Sequence, residues 1–227
     1  MKKTFAVIAG FNEEKHIRKV ARQTKKFVDE VVVVNDGSSD KTESQALVSG
    51  VTILTHITNL GKGAAMKTGA EYAINAGADI IVFLDADGQH EPKEIPRFVK
   101  ALAKADIVFG ARKRDGSSMP IILRFGNWFI SEIIFRLYGL RLHDSQCGFR
   151  AIRAAVFPYL VWLSKDYSVE SEMIAWAGKA KLRYKELWIK TIYHDKYKGT
   201  TPMHGFPIVW NLFMWRFNKR KHKKRLD

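Results

Sequence analysis

The chain has 227 residues, 46% of them apolar and 27% charged, the balance of a folded soluble protein with room for one sizeable core. Thirty-eight Lys and Arg against 23 Asp and Glu leave a formal charge of +15, which implies an anionic partner such as a nucleotide, a nucleic acid or an acidic membrane surface. No stretch reaches the ~18 apolar residues of a spanning helix, and the single cysteine, Cys147, excludes an intrachain disulfide and suits a reducing compartment.

The opening MKKTFAVIAGFNEE starts like a signal peptide, but its apolar run is too short and two acids follow at once, so 4–9 reads as a buried strand. Residues 13–26 read as a helix with acids in its first turn, where they suit the helix dipole. Residues 30–35 carry four valines in a row, the pattern of a strand buried on both faces of a parallel sheet. A helix over 39–49 and a strand over 51–55 follow. Next come a helix over 61–76 opened by Gly-Lys-Gly, an apolar strand over 80–84, a helix over 92–103 with Pro in its first turn, and a strand over 107–110. This alternation predicts an α/β fold, a mostly parallel central sheet flanked by helices.

The second half differs. Residues 120–138 (PIILRFGNWFISEIIFRLY) are rich in large apolar and aromatic side chains, with Arg124, Glu132 and Arg136 between them. A strand is expected over 187–193, and 206–217 is again aromatic and amphipathic. The sequence finishes on RFNKRKHKKRLD, with seven Lys or Arg from Arg216 to Arg225. There is no internal repeat and no Pro- or Ser-rich linker, so 1–227 reads as a single domain.

Four strand-end motifs carry chemistry. In FLDADGQH (83–90) an apolar strand presents Asp85 and Asp87 at the edge where open α/β sheets bind ligands. Two carboxylates repel unless a cation sits between or beside them, and hard oxygen ligands favour Mg²⁺ or Mn²⁺ bridging to phosphate. Gln89 adds a neutral oxygen, and His90 is a weaker candidate. In VVVVNDGSSDKT (31–42), Asp36 is placed to take hydrogen bonds from a ribose or a base edge, while Ser39 and Asp40 suit a helix cap. In AGFNEE (9–14), Asn12 and Glu13 lie at the same edge. In NLGKGAAMKTG (59–69), Gly61 and Gly63 permit close backbone approach and Lys62 brings charge to a helix N-terminus, a plausible phosphate or uridine contact; the spacing is not that of a P-loop.

With these motifs in order, the N-terminal ~115 residues resemble the GT-A domain of glycosyltransferase family 2. Within that family, DADGQH and DSQCGFRA (144–151) are similar to motifs of dolichyl-phosphate mannose synthase and the polyprenyl-phosphate sugar transferases. The resemblance implies that Ala9, Phe11, Glu13, Val34 and Asp36 line the nucleotide, and that Asp85 and Ala86 touch its ribose and phosphates. Asp87 and Gln89, with Asp85 beside them, would ligate Mg²⁺ or Mn²⁺. Arg112, in FGARKR, stands near the sugar and phosphates, Arg124 near an acceptor phosphate, and Asp144 is the candidate catalytic carboxylate. It divides the chain into a nucleotide-sugar-binding half (1–115), an acceptor-side half (116–205) and an amphipathic helix with a basic tail (206–227). Relatives usually have Pro at the place of Ala9 and Ser at that of Cys147, and many carry C-terminal transmembrane helices that this sequence lacks.

The expected reaction is transfer of a hexose from a nucleotide sugar of the GDP-mannose or UDP-glucose type, with inversion. A metal and Arg112 stabilise the charge on the departing diphosphate. A hydroxyl acceptor, glycan or protein, requires a general base, for which Asp144 would serve. A phosphate acceptor arrives ionised and needs cations instead, and the basic excess favours it, with Arg124, Lys196 and Lys198 the candidates. The aromatic segments and basic tail suggest a cytoplasmic protein held peripherally at an anionic membrane face; packing on the sheet is the plainer account of 120–138. Glu170 and Glu172 face the site or pair with these cations. A nucleic-acid partner is not expected: no recognition motif is present, and without metal the acidic sheet edge would repel a phosphate backbone. Intact Asp85, Asp87 and Arg112 argue against an inactive relative.

Overall fold

The computed structural model describes residues 2–112, 121–166, 168–192 and 202–218. Its strands are β1 (Thr4–Gly10), β2 (Glu30–Asn35), β3 (Thr52–Thr55), β4 (Ile80–Asp85), β5 (Ile107–Arg112), β6 (Arg150–Arg153) and β7 (Tyr184–Ile189). Its helices are α1 (Ile17–Thr24), α2 (Thr42–Leu47), α3 (Lys62–Asn75), α4 (Ile95–Ala101), α5 (Ile121–Tyr138), α6 (Phe157–Leu160), α7 (Val169–Lys179) and α8 (Pro202–Phe217). The strands form one sheet in the order β3-β2-β1-β4-β6-β5-β7, with β6 antiparallel to both neighbours and every other pair parallel.

β1, β2 and β4 are apolar at nearly every position because both faces of the sheet are covered. Successive residues point to opposite sides. Phe5 and Val7 join the core built with α3, α5, α7 and α8, whereas Ala6 and Ile8 join the one built with α1, α2 and α4. α3 lies so close to the sheet that a Cβ on Gly69 would come within 2.4 Å of Val7.

Several elements depart from the sequence reading. α1 begins at Ile17 rather than 13, because the amides of His16 and Ile17 both turn back onto the Glu13 carbonyl at 3.0 Å. α2 begins at Thr42 rather than 39. The amides of Ser38 and Ser39 are taken by the side chains of Asn35 and Asn12, and Asp40, one residue before the N-cap position at Lys41, accepts from the Thr42 amide at 2.9 Å. The helix expected over 92–103 is a 3₁₀ turn (Pro92–Glu94) running into α4. β7 starts three residues before the strand expected over 187–193. β6 and α7 have no counterpart in that reading.

α5 and α8 each have two faces. Ile130, Ile134 and Tyr138 of α5 and Ile208 and Leu212 of α8 are buried, so 120–138 does pack on the core. Phe125, Trp128, Phe129, Trp210, Phe213 and Phe217 remain exposed, at 44–77% of their surface. No helix among the described residues is long and apolar enough to cross a membrane.

Candidate active site

Strand register assembles the site. Ala9 pairs with Val34 on one side and Asp85 on the other, so the residues following β1, β2 and β4 meet at one edge. There Phe11, Glu13, Asp36, Ala86 and Asp87 border a cleft of about 390 Å³. β5 points the same way as β4, since both run against β6, and it delivers Arg112 to the same cleft. β6 starts at that edge, which brings in Gln146 and Gly148 from the loop before it.

Asp36 is 2% exposed and holds the opposite wall. Its Oδ1 accepts from the Leu60 amide at 2.9 Å and meets His56 Nδ1 at 2.7 Å, and its Oδ2 accepts from the Gly61 amide at 2.8 Å. The carboxylate therefore shapes the loop leading into α3. The glycines of that loop serve a close approach. A Cβ on Gly61 (φ +95°) would come within 2.2 Å of the Lys165 carbonyl, and one on Gly63 within 2.0 Å of the Ser164 carbonyl. The Gly63 amide donates to Lys165 at 2.7 Å, so the first turn of α3 is capped by the chain itself.

Lys62 Nζ lies 2.5 Å from Asp85 Oδ1 and 2.6 Å from Glu170 Oε1, an ammonium shared by two carboxylates. Burial works against each charge, but the pairing prevails: the Lys62 ammonium is held above its ordinary range and the Asp85 carboxyl below its own. Asp87 behaves oppositely. Burial and the neighbouring Asp85 charge push its carboxyl up, leaving a site short of positive charge. Its Oδ1 accepts from the Gln89 amide at 2.9 Å, which fixes the turn.

Gly148 sits against Asp85: a Cβ there would come within 2.3 Å of Asp85 Oδ2. Gly148→Ala is therefore expected to cost about 1–3 kcal/mol of stability through overpacking. An unshifted melting curve would contradict the close approach.

Arg112 and Asp144 form a fork. Nε and Nη2 of Arg112 donate to Oδ2 and Oδ1 of Asp144 at 2.6 and 3.0 Å, and the Arg112 amide donates to Oδ2 at 3.2 Å. Asn127 Nδ2 and the Gln146 amide complete the set on Oδ1 at 3.0 and 3.3 Å. Burial would raise the Asp144 carboxyl, but Arg112 and the other donors hold it below the usual carboxylate range. Asp144 is 4% exposed and is not among the residues bordering the cleft. The carboxylate expected from sequence to be catalytic thus stands behind Arg112, bonded to it, and does not border the cleft itself.

Two other expected contacts are also displaced. Val34 is fully buried in the core, and Asn12, in a left-handed conformation at φ 54°, spends its side chain on the Ser39 amide. Ala9, Phe11, Glu13, Asp36, Lys62, Asp85, Ala86, Asp87, Gln89 and Arg112 do border the cleft. The side chains of Arg124, Lys196 and Lys198 lie outside the described residues.

Glu170 and Glu172 part company. Glu172 is spent on structure, accepting from the amides of Leu163 and Ser164 and from Trp176 Nε1. Glu170 borders the cleft. Sequence reasoning did not place Gln146 or Asp166 in the wall; His90, the weaker candidate of the FLDADGQH motif, does border it. His90 is 6% exposed and its Nδ1, 3.9 Å from Asp85 Oδ2, is buried without a hydrogen bond.

Among the described residues, no group of three or more His, Cys, Asp or Glu is arranged to hold a metal on its own. A divalent cation that also takes phosphate oxygens needs fewer protein ligands. Two adjacent carboxylates, one raised by the charge of the other, beside an amide side chain make a donor set that fits such an ion.

Comparison with known proteins gives the family and the fold. Residues 5–168 match the model of the family described as "Glycosyl transferase family 2". The chain is 33% identical to the UDP-N-acetylglucosamine–dolichyl-phosphate N-acetylglucosaminyltransferase of Methanococcus voltae, over 95% of this chain and 96% of that one. It is 32% identical to the undecaprenyl-phosphate mannosyltransferase of Micrococcus luteus, over 94% of this chain and 93% of that one. In fold it matches glucosyl-3-phosphoglycerate synthase of Mycobacterium tuberculosis, crystallised with Mg²⁺ and UDP, at a TM-score of 0.74 and 19% identity, over 94% of this chain and 79% of that one. The fold is GT-A, and the chain belongs to glycosyl transferase family 2.

Proposed function

We propose that this enzyme moves a hexose from a nucleoside-diphosphate sugar, of the GDP-mannose or UDP-glucose type, to a polyprenyl or dolichyl phosphate at a membrane surface. The observation that carries this reading is the meeting of Asp85, Asp87 and Arg112 in one cleft at one sheet edge. Asp87 and Gln89, with Asp85, would hold Mg²⁺ or Mn²⁺, which when bound offsets the charge developing on the leaving diphosphate. Arg112, held by Asp144, adds a guanidinium already aimed before the reaction begins. Ala9, Phe11, Glu13, Asp36 and Ala86 would line the nucleoside, and Lys62 would reach the phosphates.

Relatives named for transfer to dolichyl and undecaprenyl phosphate support the acceptor class. So does the state of Asp144. A hydroxyl acceptor needs a general base, and the carboxylate marked for that task is occupied by Arg112, Asn127 and Gln146. A phosphate acceptor needs no base, and Arg124, Lys196 and Lys198 are the cations to test for its binding. The exposed aromatic faces of α5 and α8, with the basic run from Arg216 to Arg225, suit peripheral docking on an anionic cytoplasmic membrane face.

Melting with UDP, GDP and their sugars, with and without Mn²⁺, tests the donor. A ligand at a hundred times its Kd adds ~2.7 kcal/mol, worth roughly 5–10 °C at this size. A protein that no nucleotide stabilises in a metal-dependent way would refute the reading. Radiolabelled donor with polyprenyl phosphate tests the acceptor: label should enter organic solvent, and label found only on a water-soluble glycan or protein would favour the hydroxyl alternative.

A further inference from the structure

Glu170 has a feature that neither the ion pair nor the fold accounts for. It stands in the first turn of α7, 3% exposed, on the wall of the cleft. Lys62 engages Oε1 at 2.6 Å, while Oε2 is buried and has no hydrogen-bond partner. The turn that carries it is fixed, because Arg150 Nη1 donates to the Glu170 carbonyl at 2.6 Å. Arg150 is itself buried and further anchored to the carbonyls of Ser145 and Cys147. Two residues on, Glu172 has both oxygens satisfied by the protein. The free oxygen of Glu170 is thus a rigid, buried acceptor bordering the site.

A carboxylate oxygen can only accept, so its partner must bring an O–H or N–H group. Phosphates are excluded by charge, and Glu170 lies one ammonium away from Asp85. Where a diphosphate rides on Asp85 and Asp87, it carries two neutral hydroxyl-bearing groups, the ribose and the sugar, and with Ala9, Phe11, Glu13, Asp36 and Ala86 lining the nucleoside the sugar is the one left to Glu170. We propose that Glu170 is a specificity residue whose free oxygen accepts a hydrogen bond from a hydroxyl of the donor's hexose; this rests on the nucleotide-sugar reading above.

The test is titration of wild type and Glu170→Gln with Mn²⁺ and no acceptor present, comparing UDP and GDP with UDP-glucose, UDP-N-acetylglucosamine and GDP-mannose. The variant should bind the nucleoside diphosphate within about twofold of wild type and the preferred nucleotide sugar at least about tenfold more weakly, since a site built around a hydroxyl depends on that hydrogen bond. A deoxy-sugar donor lacking the contacted hydroxyl should bind both proteins alike. Equal losses for diphosphate and sugar would overturn the proposal in favour of a structural role through Lys62. No loss for either would overturn it too, as would unchanged donor affinity with a shifted pH profile of turnover, the mark of a general base. If wild type binds no nucleoside diphosphate at all, the donor reading falls first and this inference with it.

Discussion

Asp87→Ala is expected to lower turnover by about three orders of magnitude, the scale of removing a group that stabilises developing charge, without lowering the melting temperature of the metal-free protein. The two effects have one cause. Asp87 is half-buried next to Asp85, and desolvation and that neighbouring charge push its carboxyl up. In the metal-free protein the ionised form is a cost, since Lys62 is committed to Asp85 and Glu170. Its hydrogen bond from the Gln89 amide fixes a local turn, and among the described residues it ties no distant segment. Alanine removes the repulsion and loses that bond, two small effects of opposite sign. On the metal-site reading proposed above, the same carboxylate becomes an asset once a divalent ion is bound. Melting with and without Mn²⁺ and UDP or GDP separates these states: the variant should match wild type in EDTA and lose the metal-dependent rise. Turnover near that of wild type would remove Asp87 from the metal site, and a lower melting temperature in EDTA would make it a structural residue.

The parallel half of this architecture was legible because burial on both faces leaves a plain mark. Four valines in β2 and the apolar run of β4 can be little else, and once they are strands their ends place Asp36, Asp85 and Asp87 together. The second half was harder to read. β6 is four residues, Arg-Ala-Ile-Arg, and its first Arg is buried because carbonyls of a neighbouring loop and helix surround it, which no period reveals. α7 is buried on nearly every side and includes Glu170 and Glu172, so it shows no polar stripe. The roles of side chains were less legible than their location. Asp36 and Asp144 were both recognised as site carboxylates, but a sequence cannot show that a carboxylate is already surrounded by donors. The Gly-Lys-Gly of α3 looked like a phosphate cradle, and its glycines also make room for the carbonyls of Ser164 and Lys165, a hundred residues away in the chain.

That difference between location and role can be measured at Asp144. Asp144→Asn keeps the shape but turns one oxygen into an NH₂ group facing a shell of five donors, two of them from the Arg112 guanidinium. Breaking a buried pair from one side costs about 3–5 kcal/mol, and a fall of roughly 10 °C in melting temperature follows at this size. The loss should depend on pH. The folded carboxyl lies below its ordinary value, so its contribution is present above the unfolded pKa and fades as pH falls through the folded one. Wild type and variant should therefore converge in stability under strongly acid conditions. Turnover, assayed well below the melting range, should drop about a hundredfold or more, because the guanidinium loses its aim. Arg112→Lys, which cannot form the fork, should fall by a similar factor, and the double variant should be little worse than either single one, as for residues acting as a unit. A general base would behave differently. Arg112→Lys would then leave the base in place, the two losses would multiply, and Asp144→Asn would abolish the acid limb of the pH–rate profile instead of scaling the whole curve. Multiplying losses would return Asp144 to the reacting atoms and with it the hydroxyl acceptor; a shared, non-additive loss leaves an acceptor that supplies its own charge.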